Sequence, residues 1–198
     1  PIAVLALTLI VGASPALAQA PEVAAPPAGQ CELHVWPGNG LRSTYHGWFH
    51  GGIVDGAVKG RDGYRKLPEQ PLPSSRQHEI LKAMPLAEML GLRDYAQVLH
   101  ESALDSHTLR RTQGRLQAGG PACYAELVID DVFFQQDIVD GRFLKALIRY
   151  REFGAGEAPV RSFGTYVQEK LTRFPPKTPD EDAGPAIDEL GTAFAQVV

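Results

Sequence analysis

Apolar and polar residues alternate along Cys31-Glu32-Leu33-His34-Val35-Trp36, with Cys31, Leu33 and Val35 on one face, until Pro37 ends the run. A period of two bounded by proline predicts a short first strand. Ser74 or Ser75, with Glu79 following, is placed to cap a helix on which Ile80, Leu81 and Met84 share one face. Pro85 then opens a further turn carrying Leu86, Met89 and Leu90, and Gly91 stops it. Tyr95 to Glu101 alternates again and predicts a second strand.

The strongest pattern runs from residue 122 to 154. ACYAELVIDDVFFQQDIV and RFLKALIRYREF are rich in β-branched and aromatic residues and are joined by Asp140-Gly141, the pairing that most favours a tight hairpin. A two-residue turn there sets Asp130 across from Arg151 and Phe133 across from Ile148. Leu144, Ala146, Ile148 and Tyr150 then form the buried face, and Lys145, Arg149 and Arg151 line the other beside Val132 and Phe134. Two closing helices are predicted, one from the spacing of Phe163, Tyr166, Val167 and Leu171, the other from Ile187, Leu190, Phe194 and Val197. The polar segment PPKTPDEDAGP joins them. Strands and helices in this order suit an α+β fold, a two-layer sandwich with a mixed sheet of about four strands and helices packed on one face.

The order of elements over roughly residues 31 to 174, with the long Asp140-Gly141 hairpin as its best-matching feature, resembles small envelope domains of the TolB N-terminal-domain and curli secretion channel lipoprotein families. The resemblance lies in element order and implies a cell-envelope protein. The chain departs from the curli channel pattern in lacking a lipobox, because Cys31 follows Pro-Ala-Gly-Gln more than ten residues after the apolar run.

Residues 1–20 hold an apolar run from Ile2 to Val11 followed by Ala16-Leu17-Ala18 and Ala18-Gln19-Ala20. These are the h-region and cleavage site of a secretory signal peptide, expected to be cut near Ala18 or Ala20. Gly12, Ser14 and Pro15 break the run well short of the roughly twenty residues a membrane helix needs. Residues 21–30 are rich in Ala and Pro and read as an extended leader, leaving residues 31–198 for one domain in the periplasm or outside the cell.

Composition narrows the partners. The formal net charge is -4, so nothing favours nucleic acid. In an oxidising compartment Cys31 and Cys123 are expected to form a disulfide, closing a loop of about ninety residues and worth a few kcal/mol. Two thiols buried separately are the alternative.

Candidate chemistry is sparse. The glycine-rich stretch from 38 to 63 has Gly52, Gly56 and Gly60 at intervals of four, a smooth stripe that would suit contact with a membrane surface or a second copy, although a plain mobile loop is the reading these residues favour. His46 and His50 flank Trp48 at a spacing that suits a metal, with His34 as a third ligand. His78-Glu79 and His100-Glu101 each lack the second histidine of a zinc-protease motif. Asp105-Ser106-His107 holds the residue types of a catalytic triad, but neighbours on one segment point apart, and Asp105 reads better as a helix cap before Leu109. Arg110, Arg111 and Arg115 read as a solvated basic cluster. Asp130 and Asp131 would face opposite sides of a regular strand, and Tyr150 is the expected neighbour of Asp131 if that side chain turns inward.

These features lead to a non-enzymatic exported protein that binds an envelope component or self-associates, through the glycine-rich segment or a sheet edge. No cofactor and no small-molecule substrate are expected. The alternative is a secreted metal-dependent hydrolase built on His34, His46 and His50.

Overall fold

The computed structural model describes residues 31–46, 70–137, 140–178 and 181–198. Its strands are β1 (Cys31–Trp36), β2 (Arg42–His46), β3 (Tyr95–Leu99), β4 (Tyr124–Asp137), β5 (Gly141–Phe153) and β6 (Pro159–Leu171). The helices are α1 (Ser74–Lys82), α2 (Leu86–Met89), α3 (Ser106–Arg111) and α4 (Gly184–Val197). All six strands join one mixed sheet, five of them in the order β3-β1-β4-β5-β6 and β2 paired to β4 off this path. β1 lies parallel to both β3 and β4, while β4, β5 and β6 form an antiparallel meander. The fold is the expected α+β arrangement, with six strands in place of four.

The main core lies on one face of the sheet. Leu33, Val35, Leu127, Ile129, Leu144, Ala146, Ile148 and Tyr150 point into it and meet Leu81, Leu86, Leu190, Phe194 and Val197 from α1, α2 and α4. Leu190, Phe194 and Val197 recur at helical spacing and are buried together, as the pattern required. A smaller cluster of Trp36, Leu109 and Val128 sits on the opposite face under α3. Asp105 caps α3, its carboxylate accepting from the backbone N–H groups of His107 and Thr108.

Cys31 and Cys123 form a disulfide with Cα atoms 4.8 Å apart. The parallel register explains how they meet: Glu32 pairs with Tyr124, so the residues one step earlier on β1 and β4 are neighbours at one end of the sheet. A closed disulfide persists in an oxidising environment and so points to an exported chain.

Several expectations are corrected. The segment holding Phe163, Tyr166, Val167 and Leu171 is the strand β6, not a helix. Its sequence holds Val160, Thr165 and Val167 with Gly164 in the middle, which weakens any helix, and pairing along the free edge of β5 decides the outcome. The hairpin turn is one residue longer than a two-residue loop: Asp137 pairs with Gly141, which adopts φ +100°. Phe133 therefore faces Lys145 in place of Ile148, and Arg151 faces Glu126 in place of Asp130. Val132 and Phe134 consequently turn into the main core.

A β-bulge at Asp130, where the register shifts between Ile129 and Asp131, produces this change of face. Ser74 and Ser75 lie inside α1, whose N-cap is Pro73, and Ser74 Oγ donates to the Gly38 carbonyl instead. Residues 38–46 of the glycine-rich stretch carry β2, which pairs parallel with the far half of β4. Glycine is needed at 38, where a Cβ would sit 3.0 Å from the Ile129 carbonyl oxygen. Gly52, Gly56, Gly60 and His50 lie outside the described residues.

Candidate functional site

Two features stand out beyond the core: a network of buried polar groups on the α3 face of the sheet, and the outer edge of β6.

The bulge directs both Asp130 and Asp131 to the α3 face, where a regular strand would have separated them. Each is neutralised by its own arginine. Asp130 accepts from Arg149 Nε and Ser106 Oγ, both at 2.6 Å. Asp131 accepts from Arg42 Nε at 3.0 and 3.1 Å through its two oxygens, and from Nη2. Tyr150, the neighbour expected for Asp131 had it turned inward, lies on the core face and donates its hydroxyl to Glu152. Glu126, fully buried, accepts from Arg151 Nε at 2.7 Å and from the Leu116 backbone N–H at 2.6 Å.

Arg115 is likewise absorbed. It donates to the carbonyls of Pro121, Ala122 and Gly154 and stacks over Tyr124 at 5.0 Å. Of the basic cluster at 110–115, Arg115 is thus a clamp on the 112–122 connection. Carboxylates committed in this way stabilise the fold.

Histidines form a second cluster at the β3 side. Glu32 accepts from His34 Nε2 at 2.9 Å, and His34 Nδ1 lies 2.9 Å from His100 Nε2. A carboxylate only accepts, which places a proton of His34 on Nε2. Trp36 stacks on His100 with ring centroids 4.0 Å apart. Burial, and then the neighbouring His34, push the pKa of His100 down to about 4, so His100 is held in its neutral form.

The structure does not bring His34 and His46 together. His34 is registered beside Glu126, and His46 beside Asp137 at the other end of β4, roughly 30–35 Å away at the rise of an extended strand. No group of three or more His, Cys, Asp or Glu side chains suited to a metal occurs among the described residues.

The outer edge of β6 is different in kind. Every residue from Val160 to Tyr166 is exposed, and among the described residues no strand pairs with this edge. Val160, Phe163 and Tyr166 are 72%, 46% and 64% exposed, three of the four exposed large apolar side chains of the described chain. Phe163 stacks on Tyr150 and Arg161 is held by Glu152, so the strand is ordered although solvated. Its far end is pinned by Glu189 of α4. That carboxylate accepts from the backbone N–H groups of Thr172, Arg173 and Phe174 at 2.8 Å, and from Thr172 Oγ1. Burial alone would raise the Glu189 pKa, but the bonds from Thr172 and its neighbours outweigh it and hold the group below its usual range.

Beside the edge, on the α3 face, lies a cleft of about 330 Å³ lined by Leu109, Val128, Arg149, Ser162 and Gly164 among others. The sequence pattern missed this region because β6 reads as an amphipathic helix. The signal available was the glycine at 164 within a run of β-formers.

No family model matches the chain, and no curated protein matches it. A solved structure described as an uncharacterized protein is similar at 10% identity over 86% of this chain and 88% of its own, with a TM-score of 0.31, too slight a likeness to indicate function.

Proposed function

We propose that this is an exported, non-enzymatic protein of the cell envelope that binds its partner by strand addition along the outer edge of β6. The supporting observation is the edge itself, thirteen residues long and bearing three solvent-exposed large apolar side chains. Natural sheets usually shorten, bulge or cover such an edge, and a long open one is a template for another strand. The apolar run before Ala16-Leu17-Ala18 supports export through a signal peptide, and the Cys31–Cys123 bridge fits that compartment.

Photo-crosslinking in intact cells tests the reading. A photoreactive residue at Val160 is expected to trap a discrete partner. The same residue at Arg110, exposed on α3, is expected to trap none. Equal trapping at both positions, or none at Val160, contradicts the proposal.

A further inference from the structure

We propose that the occupant of this edge is a second copy of the chain, its β6 paired antiparallel with the first about a two-fold axis at Thr165. The inference rests on the reading of β6 as an interaction edge and names what fills it.

A strand that pairs with itself about a two-fold axis has few registers, because side chains must stay on their own face and the axis must pass through a residue. With the axis at Thr165, Arg161 faces Glu169 of the second copy, and the symmetry forms this pair twice. Phe163 faces Val167, and Thr165 faces itself. On the other face Ser162 meets Gln168 and Gly164 meets Tyr166. Moving the axis by one residue destroys the match. At Gly164, Arg161 faces Val167 and Glu169 faces Pro159. At Tyr166, Phe163 faces Glu169 and Arg161 faces Leu171. Directly opposed charges of opposite sign and aromatic or β-branched pairs stabilise antiparallel strands, and the Thr165 axis is the one register that sets Arg161 across from Glu169.

The side chains are placed for it. Arg161 gives Nε and Nη2 to Glu152, which orders the guanidinium and leaves Nη1 for the Glu169 carboxylate of the second copy. Gly164 has room for a contact: an added Cβ would meet its neighbours only at ordinary van der Waals distance, the nearest being Arg149 Nη1 at 3.7 Å. That space belongs to the cleft lined by Leu109, Val128 and Arg149. A Tyr166 ring from the second copy, directly across from Gly164, would lie over the glycine backbone and reach the Arg149 guanidinium, the kind of contact by which an aromatic side chain compensates a glycine in a strand. Within one chain Tyr166 is 64% exposed, its ring edge-on to Phe133 at 6.3 Å. A rotamer change of the sort common at interfaces frees it.

Sedimentation of the full, disulfide-closed chain provides the test. The wild type is expected to dimerise. Arg161→Glu and Glu169→Arg are each expected to weaken the dimer by about tenfold or more, and the double exchange to recover most of that loss. Both native cysteines are bonded, so Thr165→Cys adds a single thiol next to its symmetry mate and is expected to form a covalent dimer on mild oxidation. Val160→Cys lies roughly 30 Å from its mate in this register and is expected not to.

A wild type that stays monomeric at roughly 100 µM, a dimer indifferent to both charge reversals, or crosslinking as ready at 160 as at 165 overturns the proposal. A monomer whose Val160 position still traps a different protein in cells refutes self-pairing and leaves the edge reading standing. A monomer that traps nothing refutes both.

Discussion

The sheet ends in two edges that are built in opposite ways. At one end β3 is five residues long and half-buried throughout. It is tied to the helices by Gln97, which accepts from the Leu86 backbone N–H and donates to the Leu81 carbonyl. Its partner β1 is stapled to β4 by the disulfide and backed by the Glu32–His34–His100 ladder. At the other end β6 is thirteen residues long, exposed for most of its length, and pinned at its far end where Glu189 holds the turn after it. One end of the sheet is thus held by covalent and polar ties, while the longer edge at the other end is open with apolar side chains, and it is this open edge that is proposed to bind.

Breaking the closed edge produces the largest effect. Replacing Cys31 and Cys123 together by Ala removes the constraint on a loop of 92 residues and is expected to cost about 4 kcal/mol in urea unfolding. The loss should concentrate in β1 and β3, leaving the β4-β5-β6 meander the better protected part in hydrogen exchange. On the open side, Glu189→Ala removes four hydrogen bonds to a carboxylate and should cost about 2 kcal/mol, with added exchange confined to the last residues of β6 and the turn at 172–174.

The two edges also respond to different ranges of acid. His100 stays neutral in the fold down to about pH 4, whereas in the unfolded chain it takes up a proton near 6.5. Between those values the unfolded state binds more protons, so stability is complete above about pH 6.5 and declines as pH falls toward 4. The full linkage value is reduced because the ring is partly solvated, and about 1–2 kcal/mol is expected. His100→Gln should flatten that slope in pH-dependent melts. Glu189 acts in the same direction at lower pH: its folded pKa is depressed, so its contribution is present above the ordinary carboxylate range and is lost below it.

The smallest effect on stability is expected from Glu169→Arg, within about 0.5 kcal/mol by thermal melting. Its consequence should appear in association alone, which separates an interaction edge from a structural one.

Much of this contrast was legible in the residues and some was not. The alternation of 31–36 and 95–101 placed β1 and β3, the β-rich runs flanking Asp140-Gly141 placed β4 and β5, and Leu190, Phe194 and Val197 placed α4. β1, β4, β5 and α4 each carry a buried stripe, and burial writes periodicity into sequence. β6 escaped because an exposed edge strand has little to bury. Its few apolar residues matched a helical spacing by chance, and only pairing with β5 reveals the strand.

The bulge at Asp130 was invisible for a related reason, since nothing in Ile129-Asp130-Asp131 marks an extra residue. One unforeseen bulge and one extra loop residue exchanged the faces of Val132 and Phe134 and changed the partners of both aspartates. The disulfide was readable from two cysteines and an N-terminal apolar run that reads as a secretion signal. The ladder of Glu32, His34 and His100 was not, because it joins strands sixty-six residues apart.

Hydrogen–deuterium exchange across a concentration series of the full chain tests the contrast between the edges most directly. The account predicts that amides of β3 are protected equally at every concentration, while those within 161–169 exchange rapidly in dilute solution and become protected as the chain associates. Equal exchange of the two edges, or no dependence of β6 on concentration or on added partner, would contradict it.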